Sequence, residues 1–276
     1  MDVNSGPGVA RQYGLDHTDR EYILFLDADD VLVADYALES LWKTFENDEV
    51  QMATGYCIYH YPNDRQTTIM QFPRDVLHGK MYRRSFIEKY NLSFNGLQSY
   101  RHEDKAFNLM YLMIVYGTKS KIGYVEEPVY IYNYQNGISS QLANDSKYFF
   151  ESLIHNLLAA DTKILATVDR NEEIDGNIID NMIQCYYFYL ETLFVDPDEE
   201  FYQREMSKKY YEQSFKKVAF TAPPELVHQI YYYKTRSLYT TQIVPFITRI
   251  SFFEFLYLLG EGEDDLDTCT IIKRLL

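Results

Sequence analysis

The chain has little cysteine. Cys57, Cys185 and Cys269 are the three in 276 residues. They are far apart, odd in number and not at metal-ligand spacing. That excludes a disulfide scaffold and fits free thiols in a reducing compartment. Positive charge is also scarce: 26 Lys and Arg stand against 41 Asp and Glu, a formal net charge of −15. A chain this acidic lacks the electrostatic footprint of a nucleic-acid binder, so DNA and RNA are set aside as partners. Long apolar runs are missing as well. The best candidate, 243–259, is interrupted by Pro245, Arg249 and Glu254, which excludes a clean membrane span. Nothing at the N-terminus has the pattern of a signal peptide. A cytoplasmic chain is the expectation. Hydrophobic residues make up 46%, which excludes disorder and supports a sizeable core.

What is abundant is tyrosine, at 27 residues, with clusters at Tyr186, Tyr187 and Tyr189 and at Tyr231, Tyr232 and Tyr233. Packing between helices is the commoner use of such clusters, ahead of stacking on sugars.

The informative stretch is Glu21–Asp30, EYILFLDADD. Tyr22–Leu26 is an unbroken apolar run, which predicts a strand buried in a mostly parallel sheet. It ends in Asp27, Asp29 and Asp30. Open α/β sheets place their chemistry at the carboxyl ends of strands. Three carboxylates there repel one another unless a cation sits among them. Side chains of a strand alternate, so Asp27 and Asp29 are expected on one side, a pair that suits Mg²⁺ or Mn²⁺. The plainer reading is that Asp29 and Asp30 cap the following helix.

Upstream, Asn4–Gly14 reads NSGPGVARQYG. A tight turn at Gly6-Pro7-Gly8 predicts a helix from Val9, with free N–H groups that favour an anion. Arg11 is the cation nearest the acidic cluster in sequence. Downstream, a helix is predicted over 35–47, with Leu38, Leu41, Trp42 and Phe45 on one face. Strands are predicted over 50–61 and 67–72, joined by a turn at Pro62-Asn63-Asp64. GKMYRR at 79–84 is the densest basic spot of this half and precedes a short helix over 85–90. RHED at 101–104 opens a strongly apolar helix; Glu103 and Asp104 also suit its dipole. A strand follows at 129–134. From Asn144 onward the periodicity is helical, over 145–168, 172–194, 197–218 and 224–234. The division expected is 1–140 and 141–276.

In order, these motifs resemble family 2 glycosyltransferases. NSGPGVARQYG and the strand ending in Asp-x-Asp are similar to the middle of that family, with Gln12 where Asn is commonest. GKMYRRSFIEKYNLSF followed by HEDKAF resembles its acceptor-side segment and the Glu-Asp pair at a helix start. The resemblance covers residues 4–140. It implies an α/β fold: part of the GT-A mixed sheet, lacking its first strands, followed by an α-helical C-terminal region. It implies inverting, metal-dependent transfer of a sugar from a nucleotide-diphosphate donor, with a UDP-sugar the first choice, to a hydroxyl of a carbohydrate or glycan-precursor acceptor. By the same resemblance Asp27, Asp29 and Asp30 are the metal residues, with Mn²⁺ or Mg²⁺ as cofactor. Asp27, Arg11, Lys80 and Tyr82 line the donor and acceptor sites. Asp104 is the general base, with Glu103 beside it.

Two departures stand out. Many members place a His near the metal late in the domain, where 134–140 reads YQNGISS; Gln135 or Asn136 is the substitute. The strands that hold the nucleobase in the family precede the segments matched here. The resemblance therefore implies an isolated chain with impaired transfer and a sheet edge that a partner chain would complete. Two rivals remain open. One is a non-catalytic truncated binding module. The other is a haloacid-dehalogenase-like phosphatase, with Asp27 as nucleophile and Asp29 as acid/base, although Leu32 fits that motif loosely.

Overall fold

The computed structural model describes residues 4–60, 67–99, 101–133 and 146–171, together with 173, 174, 176–178 and 181. The turn expected at 62–64, the stretch 134–140 and the helices expected beyond 181 lie outside the described residues. The chain divides into two units: Met1–Asn144 with Ala166–Val168, and Asp145–Leu165 with Asp169–Leu276.

In the first unit, helix α1 (Pro7–Asp16) begins as Gly6-Pro7 predicts. Gly6 has a φ of 87°, a conformation open to glycine, and Pro7 takes the first helical position. Strand β1 is Tyr22–Leu24 and β2 is Val31–Leu32. Helix α2 (Tyr36–Lys43) runs on into a 3₁₀ turn, Thr44–Glu46. Strands β3 (Val50–His60), β4 (Thr67–Met70) and β5 (Lys80–Arg83) follow, then α3 (Arg84–Lys89), α4 (Glu103–Gly117) and β6 (Lys121–Asn133).

The sheet is mixed, in the order β1-β5-β3-β6-β2, with β4 paired to β3. Among the described residues only β3 and β6 run parallel; the other pairs are antiparallel. This corrects the expectation for Tyr22–Leu26. The strand ends at Leu24 and pairs antiparallel with β5, and Leu26 is exposed. GKMYRR, expected only to precede a helix, contains β5. Its alternation of Met81 into one core and Tyr82 into the opposite face is the strand's own period of two.

One face of the sheet packs against α2 through Ala37, Leu41 and Phe45, at spacings of four, with Ala53, Cys57 and Tyr130 beneath. Leu38 and Trp42, expected on that buried face, are 46% and 49% exposed. Helix α4 is buried nearly all round, with Phe107, Tyr111, Ile114 and Val115 fully enclosed. A helix apolar on every side is a core helix. Cys57 is a free, buried thiol that burial pushes up to about 12.

In the second unit, α5 (Ser146–Thr167) buries Leu153, Leu157, Ala160 and Ile164 at helical spacing. Asp161 accepts a hydrogen bond from Asn181 Nδ2 at 2.9 Å. No helix among the described residues is long and apolar enough to cross a membrane.

Candidate active site

The register of β1 on β5 assembles the site. Tyr22 lies opposite Arg83 and Leu24 opposite Met81. Counting three residues on from Leu24 and three back from Met81 reaches Asp27 and His78. The His78 Nε2 is 3.8 Å from Asp27 Oδ2 and 3.9 Å from Asp30 Oδ2. One ligand atom from each of Asp27, Asp30 and His78 falls within 4.8 Å of the others.

His78 is fixed from several sides. Its ring stacks on Tyr130, centroids 5.0 Å apart, and on Tyr132, at 4.7 Å. Tyr59 Oη lies 3.5 Å from Nδ1, which leaves Nε2 for the carboxylates. The loop carrying His78 is pinned from beneath. Lys80 Nζ donates to the carbonyls of Pro73 and Val76, and Asn108 Nδ2 donates to that of Arg74. Gly79 sits at a φ of 65°, and a Cβ there would meet Cys57 Sγ at 2.7 Å.

Asp27, Asp29 and Asp30 do not alternate along a strand. The N–H of Asp30 donates to the Asp27 carbonyl at 3.1 Å, so the segment turns. Asp30 is buried, takes the Tyr130 hydroxyl on Oδ2 at 2.7 Å and takes the Asn133 N–H on Oδ1 at 2.8 Å. Burial raises its pKa. Asp29 points its side chain to solvent; its carbonyl accepts from Asn133 Nδ2 at 2.8 Å. The residue beside Asp27 in the cluster is therefore Asp30.

Arg11 supplies a cation between two of the carboxylates, Asp27 and Glu103. Its Nη2 donates to Asp27 Oδ1 at 2.7 Å, and its Nη1 to Glu103 Oε1 at 2.5 Å. Burial works against the charge on Asp27. The His78 ring and the Arg11 guanidinium outweigh it and hold that carboxyl down at about 2. Glu103 is 3% exposed, and its Oε2 is buried with no hydrogen-bond partner among the described residues. Burial, then Asp104 beside it, raise Glu103 to about 7, with Arg11 pulling the other way.

The start of α4 is shaped by His102, a non-glycine residue at a φ of 59°. Asp104 follows Glu103 in the first turn and is half-buried, with Oδ1 accepting from the Lys105 N–H at 2.7 Å. Helix α1 docks on the segment before α4. The Gly8 N–H donates to the Ser99 carbonyl at 3.1 Å and the Val9 N–H to Ser99 Oγ at 2.9 Å. These are among the N–H groups expected to favour an anion; Ser99 takes them instead. A cleft of about 610 Å³ lies along α1 and β1, lined by Pro7, Arg11, Tyr22, Leu24, Leu26 and Asp27.

Among the expected site residues, the fold gathers Arg11, Asp27, Asp30, Glu103 and Asp104. Lys80 is 1% exposed and bound to its own loop, and the Tyr82 hydroxyl donates to Asn108 Oδ1 at 2.8 Å inside the core. His78 was not legible: a single His beside a glycine carries no ligand signal until β5 is recognised.

A mixed sheet with helices on it and an acidic cluster at the end of a short strand define a GT-A-type glycosyltransferase fold. Residues 1–105 match the family model described as glycosyl transferase family 2. The chain is 27% identical over 171 residues to EpsH of Bacillus subtilis (strain 168), which carries a glycosyltransferase name; the match covers 54% of this chain and 47% of EpsH. The chain thus spans about half the length of that curated relative. Among solved structures it is similar to TarS 1–349 of S. aureus in complex with UDP-GlcNAc, with a TM-score of 0.61 and 15% identity, over 86% of this chain and 70% of that one. A longer TarS structure aligns with a TM-score of 0.58 and 15% identity, over 86% of this chain and 42% of that one.

Proposed function

We propose that the chain carries out, or carries the catalytic half of, inverting transfer of a sugar from a nucleotide-diphosphate donor to an acceptor hydroxyl. The observation that carries this reading is the joining of two acidic sites by one guanidinium. The Asp27–Asp30–His78 cluster lies on one side of Arg11, and the start of α4 with Asp104 lies on the other.

Two carboxylates and an imidazole form an oxygen-rich donor set of the kind that holds Mn²⁺ or Mg²⁺ with substrate phosphate. Asp27, Asp30 and His78 would hold the cation. When bound, it stabilises the charge that develops on the departing diphosphate. Asp29, exposed beside the cluster, is retained as a candidate for a further ligand. The cleft along β1 has a volume ordinary for a small-molecule site and opens at Asp27, which suits the donor. The bound UDP-GlcNAc of the TarS complex supports a UDP-sugar as the first donor to try. Asp104 takes the proton of the acceptor hydroxyl, since it is the less enclosed carboxylate of its pair. Lys80 and Tyr82 act as scaffold beneath the site. A carbohydrate or glycan-precursor acceptor follows from the family.

The test is Mn²⁺ binding with and without UDP to the wild-type chain and to Asp27→Asn, followed by UDP release from candidate UDP-sugars. Binding that needs both UDP and Asp27, with release lost in Asp104→Asn, is the expected outcome. Equal binding in wild type and Asp27→Asn overturns the reading.

A further inference from the structure

Glu103 is placed badly for a base and well for something else. It is 3% exposed, it faces Arg11, and its second oxygen is enclosed without a hydrogen-bond partner among the described residues. The space around it is already filled: a Cβ on Gly8 would come within 3.1 Å of Glu103 Cγ and of Ser99 Oγ. An acceptor hydroxyl has no route to that carboxylate. Arg11 is itself enclosed, with its side chain 12% exposed.

A guanidinium usually presents two parallel N–H groups to both oxygens of one carboxylate, the strongest geometry open to it. Here the fork is split. Nη1 is on Glu103 Oε1 and Nη2 on Asp27 Oδ1. Asp27 Oδ2 is left facing His78 Nε2 at 3.8 Å. Without the negative charge at 103, Nη1 has a near alternative, the other oxygen of the carboxylate that Nη2 already holds. A bidentate Arg11–Asp27 pair would then occupy the oxygen that the cation needs.

We propose that Glu103 is a positioning residue: by holding Nη1 of Arg11 it restricts that guanidinium to one oxygen of Asp27 and keeps Oδ2 available to a divalent cation. The inference rests on the metal reading above and deepens it. It gives the Glu-Asp pair divided labour. Glu103 serves the donor side through Arg11, and Asp104 serves the acceptor side.

The experiment is titration of Mn²⁺ into the full chain with excess UDP at pH 8, where Glu103 is ionised, reading free Mn²⁺ by electron paramagnetic resonance. Glu103→Gln is expected to weaken Mn²⁺ binding about tenfold, the scale of one charge-assisted contact. Adding Arg11→Met to Glu103→Gln is expected to bring affinity back to the wild-type value or tighter, because the competing guanidinium is gone. A merely structural role does not produce that recovery; it makes the double variant at least as weak as the single one. Thermal unfolding of each variant verifies the fold. Wild-type affinity in Glu103→Gln, or a double variant as weak as Glu103→Gln, overturns the proposal. Asp27→Asn separates the two levels. If it binds as wild type does, the metal reading fails and this inference with it. If it loses binding while Glu103→Gln does not, only this inference fails.

Discussion

His78 makes two kinds of contact with one ring, and they can be separated. The faces stack on Tyr130 and Tyr132, and Nε2 looks at Asp27 and Asp30. His78→Phe keeps an aromatic plane between the tyrosines and removes the nitrogen. Expected is an unfolding temperature close to wild type by scanning calorimetry, with Mn²⁺ affinity in the presence of UDP down by about 10- to 100-fold by calorimetric titration. Unchanged affinity would show that the ring is packing alone. Lys80 offers a contrast. Its ammonium is buried, burial lowers its pKa to about 8, and it feeds two loop carbonyls. Lys80→Met removes both donors at once. A stability loss of about 2 kcal/mol is expected from urea unfolding, the cost of leaving buried carbonyls unpaired. At this scale the sequence reading reached Arg11 and Asp27, which stand close in sequence, and the Glu103-Asp104 pair at its helix start. The family resemblance implies ligand contact for Lys80 and Tyr82, and their burial becomes visible only with the strand that carries them.

At the level of elements, close approach of backbone decides more than propensity does. Strand β6 passes the end of α2 at Gly123, where a Cβ would lie 2.4 Å from both Cβ and Oγ1 of Thr44. Thr44 cannot swing away freely, since its Oγ1 donates to the Leu41 carbonyl at 2.8 Å. Gly123→Ala is therefore expected to destabilise the first unit by about 1–3 kcal/mol through overpacking, read as a lower urea midpoint. A midpoint equal to wild type would mean that α2 yields more easily than its hydrogen bond implies. The helices were legible from different signals: α1 from the turn at Gly6-Pro7-Gly8, α2 and α5 from apolar spacing, and α4 from an apolar run opened by RHED. Short strands were legible only in part: the apolar run at Tyr22 marks β1 and the stretch from Thr67 marks β4, but β5 goes unmarked. The four residues of β5 hold too few alternations to separate a strand from a loop, and the three of β1 too few to fix its end or its partner. The partial error over α2 has the same root. Ala37 is a weak hydrophobic signal, yet it fits the tight contact with the sheet, whereas the larger Leu38 and Trp42 remain outside.

For the whole molecule, the carboxylates set how stability responds to pH. Glu103 is raised from 4.5 to about 7, so the folded chain binds more protons than the unfolded one in that window. Its contribution is complete below about pH 4.5 and is lost as pH rises through 7. Asp27 is lowered from 3.8 to about 2, so its contribution is present above about pH 4 and is lost as pH falls toward 2. Urea midpoints measured from pH 2 to 8 should fall at both ends. Glu103→Gln should flatten the decline between pH 4.5 and 7, and Asp27→Asn the decline below pH 4. A Glu103→Gln profile parallel to wild type would show that the carboxylate is not enclosed in solution. By itself the sequence determined what is local or periodic: the scarcity of cysteine, the acidic turn after an apolar run, the long helices, and the ordered motifs that resemble family 2 glycosyltransferases. Only the tertiary structure decided which residues meet. His78 reaches Asp27 because β1 and β5 pair antiparallel in one register, and Glu103 reaches Arg11 because α1 docks on Ser99. Both meetings depend on strand order and helix docking, which are set by burial of the whole core and leave no trace in the spacing of the residues themselves.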